Sequence, residues 1–178
     1  MISGTARGIS LIAPKGTKTR PTGDRMKEDL FNILGPEVRN MLFLDLYCGS
    51  GAIGIEALSR GAETAVFVDS SLDAINATKS NLRKARLESD AEVLHMPVLN
   101  ALENFDRKFD LIFMDPPYES KEPILVLEAV NNLGLLKEEG IIVVECSKDI
   151  QIPKGFTIYR QKKYTGKQFV FIRHFRCE

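Results

Sequence analysis

Cysteine and histidine are scarce in this 178-residue chain, which holds only Cys48, Cys146, Cys177, His95 and His174. The odd cysteine count and the lack of a short CxxC spacing argue against a disulfide framework. Two histidines with scattered cysteines also argue against structural zinc, so no metal is expected. No apolar run is long enough to cross a bilayer, and residues 1–8 lack the charged-then-apolar layout of a secretory leader. The expected location is therefore cytoplasmic, with no membrane partner. Internal repeats and low-complexity tracts are missing too. Net charge is absent: 24 Lys and Arg balance 24 Asp and Glu.

The balance conceals an uneven distribution. Residues 1–27 carry six basic side chains and one acid, residues 151–178 carry seven and one, and the stretch between is strongly acidic. Basic ends can be ordinary solvated surface, or they can be a face that binds phosphates. With 44% hydrophobic and 27% charged residues, the chain can bury one sizeable core, so 1–178 is read as a single domain.

From Met41 onward, short runs of branched residues alternate with longer amphipathic stretches. This is the pattern of parallel strands buried on both faces with helices between them. Strands are expected at 42–46, 65–69, 91–95, 111–114 and 141–145, and helices at 52–59, 72–86, 98–104 and 124–132. Gly61, Gly134 and Gly140 serve as stop or turn signals. After Pro153 two strand-like runs, 156–160 and 169–175, flank a polar connection, 161–168, and suggest an antiparallel pair. At the other end, 1–13 reads as a short hairpin turning at Gly4 and Gly8, followed by a Pro, Gly and Thr-rich loop. A helix then begins near Asp24. There Met26, Leu30, Ile33 and Leu34 recur at helical spacing and should face inward, leaving Lys27, Glu28 and Asn32 elsewhere. The layout is thus an N-terminal hairpin and basic loop (1–23), an α/β core (24–150) and a C-terminal strand pair (151–178).

The stretch Asp45-Leu-Tyr-Cys-Gly49-Ser-Gly51-Ala-Ile-Gly54 leaves the first central strand and opens a helix, and Asp69 ends the next strand. Literally this satisfies the dinucleotide fingerprint, in which an acid takes ribose hydroxyls. A pyrophosphate would be repelled by a carboxylate at Asp45. S-adenosylmethionine instead brings an ammonium and a sulfonium, which suit Asp45 and glycines that permit close backbone approach, with Asp69 left for the ribose diol. A plainer alternative is that Asp45 orders the turn and the glycines only permit tight packing. Asn100 and Ala101, after the third strand, fall where the adenine ring would pass, although an asparagine there can equally be a solvent residue.

The fourth strand runs into Asp115-Pro116-Pro117-Tyr118 at the carboxyl edge of the sheet, where α/β ligands bind. An exocyclic base amine is a poor nucleophile because its lone pair is delocalised into the ring. Asp115 and the Pro116 carbonyl could accept its two N–H groups. Consecutive prolines fix the backbone and remove competing amide donors, and Tyr118 offers a stacking face. An ordinary turn is the alternative. The joint occurrence of these features, in this order, favours a methyltransferase acting on a nucleic-acid base.

At this point the sequence resembles the bacterial small-subunit 16S rRNA guanine-N2 methyltransferases of the RsmD type, over nearly its whole length. The matching residues are Arg20-Pro-Thr22 and Asp24-Arg25 ahead of Leu30-Phe-Asn-Ile-Leu34, then Leu44-Asp-Leu46 with Gly49-Ser-Gly51. Glu56-Ala-Leu-Ser-Arg-Gly-Ala62 and Phe109 through Tyr118 complete the match. The resemblance implies a Rossmann-like seven-stranded class I methyltransferase sheet with helices on both faces. It further implies S-adenosyl-L-methionine as donor and one guanine of small-subunit rRNA, on a ribosomal assembly particle, as acceptor. Carried over residue by residue, Asp115, Pro116, Pro117 and Tyr118 form the catalytic turn. Asp45, Gly49, Gly51 and Asp69 carry over as donor residues, and Ser50, Ser70, Asn100 and Ala101, by their position, complete the expected donor set. The segment from Arg20 to Arg25 carries over as the lead into the helix beside the donor pocket, and the basic ends, with Arg20, Arg25, Lys162 and Lys163, would then hold RNA phosphates. Asn100 departs from an aspartate frequent in the family, and Tyr47-Cys48 departs before the glycines, where Cys48 reads as a small packed residue. Two other functions remain at this point: a DNA adenine-N6 methyltransferase, for which the chain lacks room for a recognition domain, and a non-catalytic donor-binding factor of ribosome assembly.

Overall fold

Branched runs separated by amphipathic stretches do fold into parallel strands joined by helices. A computed structural model describes residues 1–14, 23–117 and 122–175. Its strands are β1 (Leu42–Leu46), β2 (Thr64–Asp69), β3 (Ala91–His95), β4 (Phe109–Met114), β5 (Leu136–Cys146), β6 (Phe156–Tyr164) and β7 (Lys167–His174). The helices are α1 (Asp24–Leu34), α2 (Ala52–Ser59), α3 (Leu72–Ala85), α4 (Val98–Glu103) and α5 (Glu122–Asn132). The strands form one seven-stranded sheet in the order β3-β2-β1-β4-β5-β7-β6. β1 to β5 are parallel; β7 runs antiparallel to β5 and β6 to β7. Strand order therefore reverses between β1 and β4, and ligands of open α/β sheets bind at the carboxyl ends beside such a reversal.

Alternation along each strand divides the core in two. Phe43, Phe67, Phe113, Phe169 and Phe171 pack with α1, α2 and α3 on one face. On the other face, Leu44, Leu46, Val66, Ile112 and Val144 pack with α4 and α5. Each such fully buried side chain contributes about 1.5–3 kcal/mol. Helix α3 is delimited by Ser71, whose side chain accepts the Ala74 N–H at 3.4 Å, and by Arg86 in the left-handed conformation. Among the described residues no helix is long and apolar enough to cross a membrane.

Four local expectations change. Residues 1–13 reverse direction, with Gly8 N–H donating to the Met1 carbonyl, but they form no strands. Their amides are satisfied by distant side chains: Ile2 and Ser3 donate to the Glu56 carboxylate at 2.9 and 3.0 Å, and Ala6 donates to Ser59 Oγ. Lys27 is buried; its aliphatic stem lies along the core while Nζ reaches Asp24 at 3.6 Å. The polar connection 161–168 is mostly strand, because β6 is a sheet edge where polar side chains face solvent, and only Thr165 and Gly166 turn. Gly140, expected as a stop, lies within β5 at an irregularity in its pairing with β4.

Candidate active site

β1 and β4 end side by side, with Leu46 paired to Met114. The glycine loop after β1 and the Asp115-Pro116-Pro117 turn after β4 are therefore neighbours across the switch point. Asp115 is half-buried, Pro116 buried and Pro117 exposed; Tyr118 lies outside the described residues, as does Arg20.

Asp69 joins β2 to the loop. Its Oδ2 accepts the Gly49 N–H at 2.9 Å and its Oδ1 accepts the Ser71 N–H at 2.8 Å. Each carboxylate oxygen retains a further lone pair for a ligand hydroxyl. Gly49 has φ +55 with open space where a Cβ would point, so a ligand can lie against its backbone. Ser50 is half-buried beside it and Ser70 is exposed.

Asp45 does not stand at the loop entrance, as the sequence suggested, but lies beneath it. Strand alternation turns its side chain toward α2, where Oδ2 accepts the Gly54 N–H at 2.8 Å, and the residue is 1% exposed. A Cβ at residue 54 would come within 2.4 Å of the Phe67 ring and 3.0 Å of this carboxylate, which explains the glycine there. Burial raises the Asp45 pKa well above the usual carboxylate range; the Gly54 hydrogen bond opposes this, and the charges of Asp69 and Asp115 add to it. Three carboxylates thus feel one another around a loop whose open side lies at Gly49. That field suits a ligand bearing an ammonium and a sulfonium, and it disfavours a pyrophosphate. The residues fit S-adenosylmethionine.

Ala101 must be removed from the expected donor set. It is fully buried in the core beneath α4, its N–H donates to the Pro97 carbonyl, and its carbonyl accepts from Asn104. One helical step away, Asn100 remains exposed.

Two residues that hold the loop escaped the sequence reading. Thr78 Oγ1 donates to the Gly49 carbonyl at 3.0 Å, and Asn81 Nδ2 donates to the Ser50 carbonyl at 2.9 Å. Both are fully buried on the inward side of α3. Their signal was polar residues three apart on a helix face otherwise apolar. Asn81 also exchanges two hydrogen bonds with Ile12, coupling the N-terminal segment to the loop. Tyr47 adopts φ +60 at the end of β1 and buries its hydroxyl at the site. Burial pushes that hydroxyl's pKa up, and the nearby Glu122 carboxylate adds to the effect. The Cys48 thiol is also raised, mainly by burial and then by Asp45, so it stays protonated and packs rather than attacks. Among the described residues no group of three or more His, Cys, Asp or Glu could hold a metal ion.

The expected phosphate-binding residues divide. Pairing of Cys146 with Gln168, and of Tyr164 with Lys167, brings the β6–β7 turn to the edge where β5 ends. On the α1 side, Tyr164 donates to Asp29 Oδ2 at 3.0 Å and Lys162 Nζ lies 3.9 Å from the same atom. Burial, then Asp29, pushes the Tyr164 hydroxyl up to about 12, with Arg25 close enough to oppose the shift. Lys163 points the other way, paired across the strands with Gln168. Lys167 is bound to the buried Glu145 of β5.

Comparison with known proteins gives four likenesses. Residues 1–173 match the family model described as "Conserved hypothetical protein 95". The chain is 41% identical over 171 residues to "Putative rRNA methyltransferase YlbH" of Bacillus subtilis, covering 93% of each chain. It is 36% identical to "Ribosomal RNA small subunit methyltransferase D" of Haemophilus influenzae, covering 91% of this chain and 86% of that one. Among solved structures, "Putative methyltransferase yhhF from Escherichia coli" superposes with a TM-score of 0.88 at 28% identity, covering 98% of this chain and 96% of the other.

Proposed function

Because this chain belongs to the "Conserved hypothetical protein 95" family, we propose that it methylates the exocyclic N2 amine of a guanine in small-subunit ribosomal RNA, presented on an assembling particle. The protein is a methyltransferase and S-adenosylmethionine is its donor. One observation carries the proposal: the glycine loop and the Asp115-Pro116-Pro117 turn adjoin where β1 and β4 end together. The rRNA acceptor is supported by the names of the Bacillus and Haemophilus relatives, and the guanine amine by the resemblance of the motif set.

The bound donor supplies a methyl group made electrophilic by its positive sulfur. Asp69 binds the ribose hydroxyls, and Gly49 lets that ligand approach the backbone. Asp115 and the Pro116 carbonyl each accept one N–H of the guanine amine, which aims the nitrogen at the methyl. Tyr118 stacks on the base. The amine is only weakly basic, so its proton can leave after transfer, when the nitrogen has become strongly acidic. Asp115 therefore orients the amine first and receives a proton second.

The test is incubation with methyl-labelled S-adenosylmethionine and small ribosomal subunits from cells lacking the equivalent enzyme, beside naked RNA and duplex DNA. Label in N2-methylguanosine of the subunit RNA is expected. Label in N6-methyladenine of DNA would overturn the acceptor assignment, and donor binding without transfer to any of the three would overturn catalysis.

A further inference from the structure

One cleft adjoins the Asp115-Pro116-Pro117 turn, a second lies against the β6–β7 hairpin, and residues 147–149 line both. A cleft of about 240 Å³ is lined by Pro116, Pro117, Pro123 and Ile124 on one side and by Ser147, Lys148 and Asp149 on the other. A second, of about 410 Å³, shares Ser147, Lys148 and Asp149 and continues to Lys163 and Gln168 on the β6–β7 hairpin. The first is mostly apolar and contains both prolines of the turn, so it suits a planar base. The second is open and polar, and Lys148 and Lys163 are exposed along it. Ammonium groups beside a base-sized cleft suit the phosphate of the same nucleotide.

Gln168 holds the wall in place. It is only 5% exposed, and its Nε2 donates to the Lys148 carbonyl at 3.2 Å and to Asp149 Oδ1 at 3.3 Å. Turning the amide over would set its oxygen against two acceptors, so this orientation is dictated by chemistry. The cost is that Oε1 is buried with no hydrogen-bond partner among the described residues. A buried unsatisfied acceptor lowers stability. An amide kept at that cost is better explained by where it holds residues 147–149 than by any gain in folding.

We infer that residues 147–149, latched by Gln168, split the acceptor entrance into a base cleft at Pro116 and Pro117 and a phosphate cleft at Lys148 and Lys163. The inference rests on the RNA methyltransferase reading above and names how that site takes one extruded nucleotide. Gln168 is a positioning residue; Lys148 and Lys163 touch the RNA backbone.

The experiment measures steady-state methyl transfer to small ribosomal subunits that lack the modification, for the wild type, Gln168→Met and the double variant Lys148→Ala/Lys163→Ala. Donor affinity is measured alongside by calorimetry, and melting temperature by scanning. For Gln168→Met, the KM for subunits should rise about tenfold with kcat at saturation nearly unchanged. Donor affinity should be that of the wild type and the melting temperature equal or higher. The double variant should raise the same KM and make it less sensitive to salt, by roughly one phosphate contact. Wild-type KM and salt dependence in both variants would overturn the inference while leaving the proposed function intact, as would a Gln168→Met protein that loses only stability. A wild-type protein that transfers no methyl to RNA would overturn the proposed function, and the inference with it.

Discussion

The carboxylate of Asp69, at the end of β2, accepts the backbone N–H of Gly49, twenty residues earlier in the glycine loop after β1, at 2.9 Å. With its other oxygen on Ser71 N–H, Asp69 fixes the loop against the start of α3. One side chain therefore orders the glycine loop, and in the proposed function the same carboxylate also takes the donor's ribose hydroxyls.

Replacing Asp69 should weaken donor binding without unfolding the protein. Hydrogen bonds to charged groups contribute about 1.5–3 kcal/mol each, so Asp69→Ala is expected to raise the Kd for S-adenosylmethionine by about 10- to 100-fold. Asp69→Asn, which keeps one acceptor, should fall between. Calorimetric titration decides, and an unchanged Kd for Asp69→Ala would remove this residue from the donor site.

Asp115→Ala should show the opposite split. Donor affinity should be retained, while kcat falls by about 10²–10⁴ because the amine is no longer oriented and its proton has no acceptor. Single-turnover transfer with prebound donor isolates that step. Turnover near the wild-type value would mean that Asp115 takes no part in the chemistry.

The central strands were legible because a strand buried on both faces requires a branched apolar run, and the helices between them require an amphipathic one. The position of the Asp115-Pro116-Pro117 turn at the carboxyl edge was legible because it directly follows such a run. The remainder depended on partners far along the chain. Residues 2 and 3 look like a hairpin locally, but Glu56 takes their amides. Thr78 and Asn81 read as polar positions of an amphipathic helix, since nothing local reveals that the carbonyls of Gly49 and Ser50 lie opposite. Ala101 misled by a single helical step, the difference between the open side of α4 and its core.

Glu56 is the anchor of the N-terminal reversal. It is fully buried, accepts the Ile2 and Ser3 amides, and binds Arg60 Nε at 2.8 Å. Glu56→Ala leaves those donors without partners and should destabilise the protein by about 3 kcal/mol. For a chain of this length that corresponds to a melting temperature about 6–12 °C lower. Limited proteolysis should cut first within residues 1–13, and an unchanged cleavage pattern would show that the segment is held by other contacts.

Asp45 sets stability against function, and pH separates the two. Burial, more than the neighbouring Asp69 and Asp115, raises its pKa in the folded protein, while the Gly54 N–H partly offsets the rise. A carboxyl whose folded pKa exceeds its unfolded value binds more protons in the native state, so its contribution to stability declines as pH rises through the interval between the two values. That interval begins near the ordinary aspartate value of about 4 and extends upward. Asparagine keeps an acceptor for Gly54 but never ionises. Asp45→Asn should therefore melt like the wild type below about pH 4 and increasingly above it as pH rises, by roughly 2–4 °C for each kcal/mol relieved. Over the same interval, as the wild-type carboxylate ionises beneath the loop, the variant should bind S-adenosylmethionine more weakly than the wild type, because it never acquires that charge. Paired melting curves and donor titrations across pH measure both effects. A variant less stable than the wild type at neutral pH would show that the Gly54 hydrogen bond, and not burial, governs this carboxylate.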